Sequence, residues 1–195
     1  MILWIIAIGL TIVFALLMLL VFIRKLHYDA IHRNLLDLED AYGGRVIRGG
    51  FAIRPRYSGT YKGKKIWVSI TSSREKDGRA YHIEVSMQAK SKYQFSVMSS
   101  RMLEGQQIEQ ERETKMISLN SGKYILEVIE KGHLKQLNNK KLEPIIEKMD
   151  PFEFILVSKN QIMLERISHD LMKDTDIRQL GNLIKSLDDF RAVLA

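Results

Sequence analysis

The chain has 195 residues, no cysteine and a formal net charge of +7. The missing cysteines exclude a disulfide scaffold, a thiolate metal site and a thiol nucleophile. The charge is uneven: residues 24–102 hold 16 basic and 7 acidic side chains, whereas residues 103–195 hold 14 and 16.

Residues 1–23, MILWIIAIGLTIVFALLMLLVFI, carry no charge. As a helix they would span roughly 35 Å, enough to cross a hydrocarbon core of about 30 Å. A cleaved signal peptide fits poorly, because no basic segment precedes the apolar run and no small-residue cleavage site follows it. A buried core helix fits poorly too, because there is no polar face. The segment reads as a single transmembrane helix. Arg24, Lys25 and Arg33 follow it and nothing basic precedes it, which places the following domain in the cytoplasm by the positive-inside rule.

Residues 24–42 read as a juxtamembrane helix. Leu26, Ile31, Leu35, Leu38 and Tyr42 recur at helical spacing, and Gly43-Gly44 ends the run. The spacing 31, 35, 38, 42 also resembles a heptad seam, so homo-oligomerisation through the N-terminal helix is an alternative to packing on the chain's own domain.

The remaining domain, residues 43–195, changes to a period of two. Ile66, Val68 and Ile70, then Tyr81, Ile83, Val85 and Met87, then Tyr93, Phe95 and Val97 alternate with polar residues. Lys62-Gly63 joins residues 56–61 to residues 64–71 as a tight hairpin with Gly at a positive φ. Residues 100–113 are polar, a short helix or a loop. Residues 124–129 form a further strand. Residues 133–149 are mixed helical, with Pro144 expected at a helix start. Residues 152–157 and 162–167 form a second hairpin across Lys159-Asn160, with Asn160 expected to tolerate left-handed geometry.

A final amphipathic helix is capped by Asp174 or Thr175. Its apolar stripe is Ile177, Leu180, Leu183, Ile184, Leu187, Phe190 and Leu194. The fold class is therefore α+β: one antiparallel sheet of hairpins packed against helices, behind a single N-terminal span.

The chemical motifs are thin. Gly59-Thr60-Tyr61-Lys62-Gly63-Lys64-Lys65 misses a P-loop in glycine spacing and puts Lys65 where Ser or Thr must hold magnesium. His82-Ile83-Glu84 has the H-x-E of zinc deaminases without their cysteines, and on an alternating strand reads as a surface pair. His27, His32, His133 and His169 lack ligand spacing. Asp170, Asp174 and Asp176 lack the glycine and terminal glutamate of a calcium loop. The acidic cluster in residues 104–113 reads as a solvated face. No catalytic residue, cofactor or metal site is assigned.

One stretch stands out. Residues 42–74 hold eight basic residues and no acidic one: Arg45, Arg48, Arg54, Arg56, Lys62, Lys64, Lys65 and Arg74. Tyr57, Tyr61 and Trp67 are interleaved. Three readings compete: a basic surface that only solubilises the domain, contact with anionic lipid headgroups at about 1 kcal/mol per residue, and nucleic-acid binding. A membrane anchor makes nucleic acid the least natural. The expected function is a single-pass membrane-anchored binding or scaffold protein that engages a protein partner or complex. The alternative is a membrane-surface enzyme acting on an anionic or phosphate-bearing substrate.

Overall fold

The computed structural model describes residues 2–48, 50, 53–75, 78–103, 115–129, 137 and 139–194. The acidic stretch 104–113 and His133 lie outside the described residues.

A single helix, α1 (Ile2–Tyr42), runs unbroken through both the apolar segment and the juxtamembrane one. Its 41 residues extend about 60 Å at 1.5 Å per residue. The two parts meet different surroundings. Residues 2–24 are exposed throughout, with Leu3 81% and Trp4 76% accessible. So continuous an apolar surface is stable only in lipid or against a partner. From Tyr28 onward the helix turns one stripe inward, and Tyr28, Ile31, Leu35 and Leu38 are buried. The positions that resembled a heptad seam are thus consumed inside the chain's own core.

Among the described residues the sheet has nine strands, all antiparallel: β1 (Arg45–Ile47), β2 (Arg56–Tyr61), β3 (Lys64–Glu75), β4 (Gly78–Gln88), β5 (Phe95–Ser99), β6 (Met116–Leu119), β7 (Tyr124–Val128), β8 (Phe154–Val157) and β9 (Gln161–Ser168). Their order is β1-β2-β3-β4-β9-β8-β5-β7-β6. The long C-terminal hairpin β8–β9 is inserted between β4 and β5, bridging the two halves of the sheet. The other helices are α2 (Asn139–Met149), α3 (Leu171–Asp174) and α4 (Ile177–Leu194). Side chains from one face of every strand except β1 join buried residues of α1, α2, α3 and α4 in one core. This is the expected α+β layer.

Several local expectations hold for the expected reason. Lys62 (φ 47) and Gly63 (φ 73) both adopt positive φ at the β2–β3 turn, the pattern that matches strand twist in two-residue hairpins. The α4 stripe buries Leu180, Leu183, Ile184, Leu187, Phe190 and Leu194. Others are corrected. Pro144 lies inside α2, which begins five residues earlier at Asn139. The β8–β9 turn does not use left-handed Asn160; among the described residues the non-glycine ones with positive φ are Lys62, Asn120 and Ser121. Asp170 caps α3 by accepting from the backbone N–H groups of Met172 and Lys173. Asp176, not Asp174 or Thr175, accepts the Arg178 N–H at the start of α4. The short strands β1 and β6 carry too few residues for a periodic signal.

The junction between α1 and the sheet is close. Gly44, at φ +100, leaves no room for a Cβ against the Ser58 carbonyl, and Gly59 leaves none beside the Tyr57 ring. The Tyr57 hydroxyl donates to the Gly43 carbonyl at 2.7 Å, and burial pushes its pKa to about 12. Glu39 accepts the Val46 N–H at 2.7 Å. The helix end is thus tied to β1 and β2 rather than joined by a free linker.

Leu35→Ala should therefore lower the unfolding free energy by about 2–5 kcal/mol. Leu36→Ala, at a position 38% exposed, should stay within about 0.5 kcal/mol. Urea unfolding of residues 24–195 reads both. Equal effects at the two sites would show that this half of α1 is not docked.

Candidate functional site

The eight basic residues can be ordered by height along α1, and they do not form one patch. Tyr28 and His27 mark the first level. Arg54 donates to Ser72 Oγ at 2.6 Å and lies 5.5 Å over the Tyr81 ring. The Tyr81 ring is 6.4 Å from that of His27. Ser72 and Tyr81, paired across β3 and β4, therefore sit level with residues 27 and 28. Arg74 lies two residues farther along β3, about 7 Å nearer the apolar end. It is exposed. Arg48 is held at the same end by Asp29, 2.6 Å away.

The β2–β3 turn is at the opposite end. Tyr61 packs edge-on against Tyr42, the last residue of α1, at 5.4 Å. Lys62 pairs with Asp188 of α4 at 2.9 Å. From Ile23 to Tyr42 the helix rises about 28 Å, so Lys62, Lys64 and Lys65 are remote from the apolar segment. Arg45 and Arg56 occupy the sheet face turned away from the core, on β1 and β2. Sequence reasoning missed two exposed residues beside the middle of the docked part of α1, Met172 and Lys173 of α3. This turn is tied to α1 by Asn34, whose amide donates to the Met172 carbonyl at 2.7 Å. No local pattern signals that proximity, since 138 residues separate the pair.

The outward sheet face holds a groove of about 460 Å³. Ile47, Trp67, Arg56 and Glu84 line it, and Ile47 and Trp67 are 54% and 38% exposed. An exposed tryptophan and isoleucine flanked by opposite charges make an amphipathic floor of the kind found at protein interfaces.

His82 and Glu84 do lie on this outward face, as alternation requires. His82 is more than a surface pair, however. The sheet brings it to Glu165 of β9 and to Glu153, just ahead of β8. The alternation of β4 placed His82 on a polar face; the β4–β9 pairing that brings Glu165 beside it was not readable.

Asp188 is 5% exposed. Burial alone would raise its pKa, but hydrogen bonds and charge from Lys62 and Arg191 outweigh it, leaving the carboxyl below its ordinary value. A folded-state pKa below the unfolded one gives stability that is present above the unfolded value and lost as pH falls through the folded value. Asp188→Asn should thus flatten the acid limb of the stability–pH profile. It should cost roughly 1.5–3 kcal/mol at neutral pH, read by urea unfolding between neutral and acid pH. An unchanged acid limb would contradict the assignment.

Comparison with protein-family models gives no match, and comparison with curated proteins gives none either. Among solved structures, the chain is similar to the mycobacterial trehalose monomycolate transport factor A, TtfA. The TM-score is 0.56 at 9% identity, over 84% of this chain and 94% of that one. At that identity the likeness is one of fold.

Proposed function

We propose that this chain is a single-pass membrane-anchored binding or scaffold protein, whose basic domain lies at the membrane surface and engages a protein partner or complex. The observation that carries this reading is the continuity of α1. The apolar segment passes into the domain core with only four residues between Ile23 and the first buried residue, Tyr28. That gap is about 7 Å of helix, less than a Debye length at physiological salt. A domain so joined rests on the bilayer and cannot drift from it.

The charges on either side of the span support a cytoplasmic domain, with Arg24, Lys25 and Arg33 following it. Anionic headgroups are then nearest to Arg24, Lys25 and Arg74, while the β2–β3 turn points into the cytosol. The Trp67 groove supports a protein partner rather than a small substrate, because it is open and lined by residues typical of interfaces. The similar structure is that of a transport factor, which fits a role in holding a membrane-associated assembly.

Residues 24–195 should bind vesicles containing anionic lipid and ignore neutral ones. Arg74→Glu, a change of two charge units at about 1 kcal/mol each near the surface, should weaken that binding about thirtyfold. Lys65→Glu should leave it unchanged. Cosedimentation reads the effect. Equal binding to neutral and anionic vesicles, or equal losses at Lys65 and Arg74, would overturn the pose.

A further inference from the structure

We propose that His82, Glu153 and Glu165 form a binding site for a divalent transition-metal ion on the outward face of the sheet. The three residues come from separate segments. His82 stands on β4 and Glu165 on the adjacent β9. Glu153 precedes β8 and is fixed by its own backbone, whose N–H donates to the Glu165 carbonyl at 2.9 Å. One ligand atom from each lies within 4.8 Å of the others.

The distances favour a shared cation over a simple ion pair. Nδ1 of His82 is 3.0 Å from Oε1 of Glu165 and 3.3 Å from Oε2 of Glu153. Nδ1 is nevertheless shut off from solvent and makes no hydrogen bond. An imidazolium held between two carboxylates would aim its N–H at one of them. The edge between two ligands of a tetrahedral ion with bonds near 2.0–2.1 Å is about 3.3 Å. Contacts that are short yet badly directed for hydrogen bonding are what such an edge looks like.

The surroundings agree. His82 is only 11% exposed in its side chain. Its Nε2 lies 2.8 Å from Ser73 Oγ. Donating the Nε2 proton there leaves the Nδ1 lone pair for a metal, the outer-shell arrangement common to metal-bound histidines. Glu84 faces Glu165 directly across β4 and β9, an apposition of like charges that destabilises a sheet unless a cation is shared nearby. Glu153 also lines a cavity of about 290 Å³ with Arg101 and His169, which gives an ion a path from solvent. One imidazole with two carboxylates suits Zn²⁺ or Mn²⁺ and disfavours Ca²⁺ and Mg²⁺. Three protein ligands leave a coordination position open.

The test uses the full chain in detergent, without an affinity tag and stripped of metal. Mn²⁺ is titrated and free ion is read by electron paramagnetic resonance, with Zn²⁺ as competitor. The expected result is one Mn²⁺ per chain, displaced by Zn²⁺ and not by Mg²⁺. Glu165→Gln and Glu153→Gln should each weaken binding more than tenfold. Ser73→Ala, which keeps all three ligands, should weaken it about 10- to 100-fold. Glu147→Gln on the exposed side of α2 should have no effect. A melting curve of each metal-free variant checks that it is folded. No stoichiometric Mn²⁺, or Gln variants that are folded and bind like the parent, would overturn the proposal.

Discussion

The docking of the second half of α1 onto the sheet is the contact on which the rest depends. Tyr28, Ile31, Leu35 and Leu38 are at most 2% exposed. Side chains of this size contribute about 1.5–3 kcal/mol each on burial, so together they rival the whole net stability of a domain. The same helix, one turn earlier, has no buried residue. A single element therefore carries both an uncovered apolar surface and a buried stripe, with no hinge at the change. Gly44 and Gly59 let its far end come into backbone contact with β2, which removes the remaining freedom.

That rigidity turns a composition into a geometry. A run of eight basic residues without an acidic one reads as a patch, yet the hairpins carry it back and forth along the helix axis. Arg74 comes down to the apolar end, Lys62 goes up to Asp188, and Arg48 and Arg54 are engaged by Asp29 and Ser72. Charge density in the sequence is thus divided among the apolar end of α1, internal pairing and the far end of the domain. The groove at Trp67 opens on the remaining surface, away from the helices.

Much of the fold was legible because its signals are local. The β2–β3 turn, the alternation of β3 and β4, and the stripes of α1 and α4 each lie within a dozen or so residues. What was not legible depends on distant pairing. The β8–β9 hairpin was readable, but its insertion between β4 and β5 was not. Pro144 was expected at a helix start because the rule is statistical, and α2 extends farther because Leu142 has a core to reach. The candidate site shows the same limit. His82 could be assigned to a polar face, while its meeting with Glu165, with Glu153 alongside, exists only once β4 and β9 are paired.

The direct measurement is the height of two labelled positions above the bilayer. The chain has no cysteine, so Arg74→Cys and Lys65→Cys each give a unique attachment site in the full protein reconstituted in lipid. Paramagnetic lipid headgroups then report distance to a label at either position. A docked, unbroken α1 puts the label at 74 close to the headgroups and the label at 65 farther out by a distance on the order of the 28 Å helix rise. Similar distances for both labels, or values averaged by free tumbling of the domain, would contradict a rigid passage from span to core.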